Sequence, residues 1–233
     1  MRAIVLAGGK GTRLKPYTTT IPKPLVPLGD RAVVEILIGR LKRSGINSLT
    51  LCVNHMAELI MAYCGDGTRW GVKIEYSKEE AFLSTVAPIK LVKDLPENFL
   101  VMNGDLLTDM DFRDLYSYHL RGNALLTVAT YKRNPKIDFG VIDVDEDNGV
   151  AIGFKEKPEY ELSVSMGVYV FTKKVLDYVP DDGPFGFDDL MHTLLDRKQT
   201  VRVYPYDGYW LDIGRPEDYE KANEDVGARL EGM

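Results

Sequence analysis

Two rhythms of apolar residues run through this chain. Short runs with strand character stand at 3–7 (AIVLA), 48–53 (SLTLCV), 72–76 (VKIEY), 99–103 (FLVMN) and 124–131 (ALLTVATY), and the first four alternate with segments of helical period. Within 34–44, Val34, Leu37, Ile38 and Leu41 share one helical face, with Arg40, Lys42 and Arg43 largely off it. That pattern predicts a helix laid over one face of a sheet. Segments 87–92 (APIKLV), 111–121 and 187–198 read as further amphipathic helices, and 214–230 as a last one with Pro216 near its first turn. Strand and helix in alternation imply crossover connections, hence an α/β layered fold with a mostly parallel sheet.

The rhythm changes after Tyr131. Residues 139–158 alternate apolar and polar positions around Asp147-Asn148-Gly149, a hairpin signal because Asn and Gly tolerate the positive φ of a tight turn. A mixed, more β-rich region is expected here, with strands at 166–171 and 200–206. No Gly/Ser linker or repeat interrupts the 233 residues. We therefore expect a single domain, 1–233, with two lobes.

Composition narrows the function classes. With 45% hydrophobic and 27% charged residues the chain is an ordinary globular one. A net charge of −6 argues against nucleic acid as a partner, since phosphate backbones are held by clustered Lys and Arg. No apolar run nears the ~20 residues that cross a bilayer, and no signal-peptide pattern opens the chain, so no membrane partner and a cytoplasmic setting are expected. Cys52 and Cys64 lack the spacing of a disulfide framework or a zinc site. One local feature runs against the overall charge. Residues 1–29 carry Arg2, Lys10, Arg13, Lys15 and Lys23 without a single acid, which points to a small anionic ligand.

In open α/β sheets ligands settle where loops leave the carboxyl ends of strands. Gly8 and Gly9 end the first strand, Asn54 and His55 the second, and Asn103-Gly104-Asp105 the FLVMN strand, so three candidate ligand loops fall on one edge. The first is neither a P-loop nor a full dinucleotide fingerprint, whose third glycine is replaced by Leu14. It can still act on phosphate. Glycines let backbone N–H groups approach oxygens closely, and Arg13 offers a planar fork to two of them. A tight strand-to-helix turn followed by a solvated basic loop would give the same letters.

Taken together, LAGGKGTRLKPYTTTIPKPLVPL, VMNGDLL, FGVI, FKEKP and WLDIG resemble the sugar-1-phosphate nucleotidyltransferases, the nucleotide-sugar pyrophosphorylases, from Met1 to about Asn223. The resemblance implies a Rossmann-like core with a smaller, β-rich sugar-binding lobe. It implies that an NTP and a sugar 1-phosphate are joined to give an NDP-sugar and pyrophosphate, with Mg2+ as cofactor. By position, Gly8, Gly9, Gly11 and Thr12, with Leu6 and Ala7 ahead of them, would wrap the nucleotide, as would Asn54, Ser84, Thr85, Asn103 and Gly104. Arg13 would stabilise the leaving pyrophosphate, and Lys23 would reach the phosphates at the reacting centre. Asp105 and Asp212 would hold the metal. Gly140, Glu156, Lys157, Ser165 and Gly167 would meet the sugar phosphate, with Lys157 on its phosphate group.

The resemblance is closest to mannose-1-phosphate guanylyltransferases, so GTP with a mannose- or heptose-like 1-phosphate leads. A UTP-, dTTP- or CTP-dependent enzyme acting on a glucose-like phosphate is the alternative, and a non-catalytic nucleotide-sugar sensor subunit stands beside it. Two departures bear on the substrate. Leu83-Ser84-Thr85-Val86-Ala87-Pro88 replaces a loop resembling L-G-T-A-G-P, which places Ser84 and Val86 beside base or sugar, and Ser165 replaces an Asn. The ending soon after WLDIGRPEDY sets the expectation of a short form without a C-terminal β-helix. The sequence leaves a homodimer open as a partner state.

Other residues carry plainer expectations. His119 and His192 read as surface or helix residues, and His55 as a nucleobase-side candidate. Asp109 and Asp111 could form the metal pair of a glycosyltransferase, but Asp commonly caps a following helix.

Overall fold

The computed structural model describes residues 1–225. Its elements, in chain order, are β1 (Arg2–Leu6), β2 (Pro27–Leu28), β3 (Arg31–Ala32), α1 (Val33–Arg43), β4 (Ser48–Val53), α2 (Ala57–Cys64), β5 (Lys73–Lys78), β6 (Asn98–Asn103), β7 (Leu106–Thr108), α3 (Phe112–Leu120), β8 (Leu126–Arg133), β9 (Val141–Asp145), β10 (Val150–Lys155), β11 (Leu162–Thr172), α4 (Phe187–Asp196), β12 (Val201–Tyr206), β13 (Trp210–Asp212) and α5 (Pro216–Asp225). Seven strands form the central sheet in the order β12-β8-β11-β6-β1-β4-β5. β11 is antiparallel to both of its neighbours, and the other pairings are parallel. This is the mixed, mostly parallel Rossmann-like sheet that the sequence pattern anticipates.

β1 lies inside the sheet, and Ala3, Ile4 and Val5 are wholly buried, which is why it reads as a continuous apolar run rather than an alternating one. Alternate residues feed two cores. Ala3 and Val5 join Val34, Leu37, Ile38 and Leu41 of α1, so that helix covers the sheet through the expected face. Ile4 points to the opposite core with Phe99, Phe171 and Leu190.

A third core lies beneath the basic N-terminal segment. Leu14, Val26 and Leu28 pack with Val33 and Ile36 of α1, Leu107 of β7, Leu211 of β13 and Ala222 of α5. Each fully buried aliphatic side chain contributes about 1.5–3 kcal/mol. The loop is thus anchored by its own apolar residues, while Lys10, Arg13 and Lys23 line a cavity.

Segment 87–92 departs from expectation, forming only a short 3-10 turn, Ala87–Leu91. Val86 N–H and Ala87 N–H both donate to Phe185 O, 3.0 and 3.1 Å away, so a tertiary contact takes the backbone groups at the turn's start. The terminal helix starts at Pro216 and is described through Asp225, and 226–230 lie outside the described residues. The expected hairpin is present as β9–β10, a separate two-stranded ribbon turning at Gly149, whose φ is 65°.

Candidate active site

The site forms where β1, β4, β5 and β6 end. Ala7 N–H donates to Cys52 O at 2.8 Å, and Gly104 N–H to Leu6 O at 2.9 Å, tying the first loop to the ends of its neighbours. Gly104 must be glycine, because a Cβ there would stand 2.9 Å from Leu6 O. At Gly11 the chain takes φ 61°, and its carbonyl accepts from the Thr18 hydroxyl at 2.7 Å. The loop is therefore folded back and braced by the Thr18 hydroxyl.

It borders a cavity of about 590 Å³. Thirteen residues marked in the sequence line it: Leu6, Ala7, Gly8, Gly9, Gly11, Thr12, Arg13, Lys23, Ser84, Thr85, Asn103, Gly104 and Asp105. Lys10, marked there as a further loop charge, lines it too. Asn54 stands behind Gly8, where a Cβ would meet the Asn54 Cβ at 3.1 Å, and its amide donates to Ala81 O at 3.2 Å.

Asp105 and Asp212 meet through backbone pairing. β13 runs antiparallel to β7 with Asp212 opposite Leu106, and Ile213 N–H donates to Asp105 O at 3.0 Å. Lys23 Nζ donates to Asp105 Oδ2 and lies 4.0 Å from Asp212 Oδ1. Asp105 Oδ1 and Asp212 Oδ1 are both buried without a hydrogen-bond partner. Burial, and then the charge of Asp105, raises the Asp212 pKa, while Lys23 and Arg13 oppose the shift. Two hard oxygens left unsatisfied beside each other suit a divalent cation. These donors fit magnesium.

The residues marked for the sugar phosphate lie outside that cavity's lining, Gly140, Glu156 and Lys157 beside the β9–β10 ribbon and Ser165 and Gly167 on β11 of the central sheet. A Cβ on Gly140 would fall 2.7 Å from the Phe154 ring and 3.3 Å from Glu156 Oε2, so Gly140 and Glu156 are neighbours. Lys157 follows, exposed, with φ 43°. Ser165 Oγ donates to Tyr169 OH at 3.2 Å and accepts from Gly167 N–H at 3.3 Å. Gly167, φ 73°, abuts the nucleotide side, since a Cβ there would lie 2.6 Å from Asn103 Nδ2. Trp210 Nε1 of β13 donates to Met166 O of β11 at 3.0 Å.

Several placements differ from the sequence reading. Val86 is 2% exposed and belongs to the core with Ile89 and Tyr169, away from the main cavity lining. Asp111 does cap α3, accepting from Arg113 N–H at 2.9 Å, but Asp109 instead accepts from Tyr206 OH and, at 2.7 Å, from Tyr209 N–H. His119 is a helix residue as expected, on α3, but buried rather than at the surface.

Glu79 was not marked in the sequence. It follows β5, is 6% exposed, and lines the cavity with its Oε1 3.0 Å from where a Gly8 Cβ would sit. Oε2 accepts from Leu83 N–H at 3.1 Å, and burial raises the carboxyl pKa. The strand-end logic that marked Asn54 and Asn103 would have found it at the end of the next parallel strand.

A family model for nucleotidyl transferases matches residues 2–229. The chain belongs to the nucleotidyl transferase family. Among its relatives, a UTP–glucose-1-phosphate uridylyltransferase of Synechocystis is 33% identical over 98% of this chain and 64% of its own length. The mannose-1-phosphate guanylyltransferase catalytic subunit beta of Dictyostelium discoideum is 32% identical over 94% and 62%. This nucleotidyl transferase chain thus spans just under two thirds of those curated relatives. A crystal structure of HddC from Yersinia pseudotuberculosis complexed with GMP-PN superposes with a TM-score of 0.73 at 26% identity, covering 97% of this chain and 99% of that one. Among the described residues, no helix is long and apolar enough to cross a membrane.

Proposed function

We propose that this chain joins a nucleoside triphosphate to a sugar 1-phosphate, releasing pyrophosphate, and that GTP with a mannose- or heptose-like 1-phosphate is its substrate pair. The reading rests above all on one cavity lined by a braced glycine loop, Arg13, Lys23 and Asp105, with Asp212 4.0 Å from Lys23 and the Oδ1 atoms of both aspartates unsatisfied. A magnesium ion held by Asp105 and Asp212 would neutralise phosphate oxygens.

The chain's own residues have little proton chemistry to do. A sugar phosphate is already anionic near neutral pH, so its oxygen can attack the α-phosphorus in line. A new P–O bond forms at that phosphorus, the bond to the β-phosphate bridging oxygen breaks, and pyrophosphate leaves with the electron pair. Backbone N–H groups of the glycine loop hold the triphosphate, Arg13 faces the charge that grows on the leaving group, and Lys23 holds the reacting phosphate. Lys157, with Gly140 and Glu156 in the second lobe, receives the sugar phosphate.

Glu79 supports guanine. A carboxylate only accepts, and guanine presents N1–H and N2–H₂ side by side, a pair of donors that fits its two oxygens. The similarity to guanylyltransferases points the same way. The uridylyltransferase relative keeps a UTP and glucose 1-phosphate reading in view. Nucleoside triphosphates place the proposed activity in the cytoplasm.

A matrix of five NTPs against a panel of sugar 1-phosphates with magnesium, read by pyrophosphate release, tests the reading. GTP with a mannose- or heptose-type phosphate is expected to dominate. UTP dominance would transfer the assignment to the second reading, and binding without pyrophosphate from any pair would leave a sensor.

A further inference from the structure

Among the described residues the main cavity's lining includes one aromatic side chain, Phe82, and that ring is 63% exposed. It belongs to none of the three cores, although the next residue, Leu83, packs against the core that holds Val86 and Tyr169. A lone exposed phenylalanine on a loose loop would call for no explanation. This loop is tied down on both sides of it. The Asn54 amide donates to Ala81 O at 3.2 Å, Leu83 N–H donates to Glu79 Oε2 at 3.1 Å, and Phe185 N–H donates to Leu83 O at 3.0 Å. Three tethers therefore fix the backbone from which the ring enters the cavity lining.

Charge indicates which part of a ligand reaches that ring. Lys10, Arg13 and Lys23 supply the cations of the lining, and no Lys or Arg stands between Glu79 and Pro88. Glu79, buried, lies three residues before Phe82 and lines the same cavity. A triphosphate is drawn to the cations and repelled by that carboxylate, so the uncharged end of a nucleotide is what meets Glu79 and Phe82. A nucleobase suits the pair. Its edge carries hydrogen-bond donors for a carboxylate, and its flat face covers an aromatic ring that water otherwise wets.

On the reading of this cavity as a nucleoside triphosphate site, we infer that Phe82 is the stacking platform for the nucleobase. Glu79 takes the edge of the base, and the Phe82 ring takes one face. The two contacts divide the work of recognition. Stacking accepts any base, because each has a π face, and it grows with the area of the ring system, so a purine gains more from Phe82 than a pyrimidine does. The choice among purines then falls to Glu79.

Calorimetric titration of GTP, UTP and inorganic tripolyphosphate into the wild type, Phe82→Ala and Phe82→Tyr, with magnesium present, tests the inference. Phe82→Ala should weaken GTP binding by roughly 10- to 100-fold and UTP binding by less, the scale of losing one base–aromatic stack. Tripolyphosphate has no base, so its affinity should stay as in the wild type. Phe82→Tyr keeps the ring and should keep GTP affinity. Direct contact has its own readout: in Phe82→Trp, GTP should quench an emission component that the wild type, with Trp70 and Trp210, does not lose. Wild-type GTP affinity in Phe82→Ala, or an equal loss for GTP and tripolyphosphate, would overturn the platform, the second outcome making Phe82 a support of the loop. A wild type that binds no nucleoside triphosphate more tightly than tripolyphosphate overturns it too. A wild type that prefers UTP, with a base-dependent loss still present in Phe82→Ala, would instead overturn the guanine reading and uphold the platform.

Discussion

Lys23, in the lining of the main cavity, places its ammonium against Asp105 and stands 4.0 Å from Asp212. The three residues come from distant parts of the chain, joined by the β7–β13 pairing and the core under the basic loop. Lys23 therefore serves as a counter-ion for two crowded carboxylates whose Oδ1 atoms have no hydrogen-bond partner. Lys23→Met should cost about 1–3 kcal/mol in metal-free protein, a fall in Tm of roughly 2–10 °C. Magnesium should then raise the Tm of the variant more than that of the wild type. Equal magnesium shifts in the two would refute the counter-ion role.

Catalysis separates the same cavity into parts. Arg13→Ala is expected to lower kcat by at least ~100-fold, the scale of losing one preorganised donor to developing charge, with the fold intact. Asp105→Asn and Asp212→Asn should instead shift the magnesium titration to higher concentration, since an amide lacks the carboxylate's charge. Unchanged turnover in the first variant, or an unchanged titration in either of the others, removes that residue from its role.

Much of the fold was legible because parallel strands and their covering helices leave strong local patterns, as in β1 and α1. Tertiary choices left weaker traces. The antiparallel insertion of β11 between β6 and β8 depends on which sheet edge was open, and the 3-10 turn at Ala87–Leu91 depends on Phe185. In the site, the glycine loop, Asn103 and Asp105 were readable as strand ends. The nearness of Asp105 to Asp212 was not derivable from spacing, because β7–β13 pairing creates it. Glu79 was readable by the same strand-end position, directly after β5, and burial is what sets it apart from Glu80. His119 was readable: Phe112, Leu115 and His119 fall at i, i+3 and i+7, the buried face of α3.

On the proposed guanine reading, Glu79 links stability to base recognition. Its pKa is raised by burial, so the folded state holds the proton more tightly than the unfolded one. The associated stability is present below the unfolded pKa and is lost as pH rises through the folded pKa. Glu79→Gln should therefore raise Tm at neutral pH, and the gap to wild type should close as pH falls below the raised value. GTP binding should weaken in the variant, as a carbonyl replaces the carboxylate facing guanine. Calorimetric titration of GTP and UTP alongside melting curves checks both halves; unaltered GTP affinity would leave Glu79 a purely structural carboxylate.

Ser84 and Val86 answer to different forces although they are two residues apart. Ser84 lines the cavity at φ 70°, a left-handed position that costs a non-glycine residue about 1–2 kcal/mol. Ser84→Gly should keep or raise Tm while changing the ratio of kcat/KM among substrates by roughly 10- to 200-fold, as for a contact worth ~1–3 kcal/mol. Val86→Ala hollows a core position and should cost about 1–3 kcal/mol with little change in selectivity. Competing-substrate assays and melting curves on the two single variants decide; a selectivity shift confined to Val86→Ala would reverse the assignment.

His119 sets an acid limit on the fold. Its ring is 2% exposed, with Nε2 3.1 Å from Asn98 Oδ1 and Nδ1 2.8 Å from Thr127 Oγ1. The amide oxygen only accepts, so Nε2 carries the proton and Nδ1 accepts from the Thr127 hydroxyl. A second proton would break that arrangement in a buried place, and burial, with Arg202 nearby, lowers the pKa from 6.5 to about 4. Above pH 6.5 both folded and unfolded states are neutral, and the fold keeps its full stability. Between pH 6.5 and 4 the unfolded chain binds a proton that the fold refuses, so stability falls with pH, by ~3 kcal/mol at the lower end. His119→Gln retains a donor and an acceptor but cannot titrate. Denaturant unfolding at half-unit pH steps should show the variant losing less stability than the wild type across that window, with the difference flat above pH 7; parallel curves would mean that other groups govern the acid response.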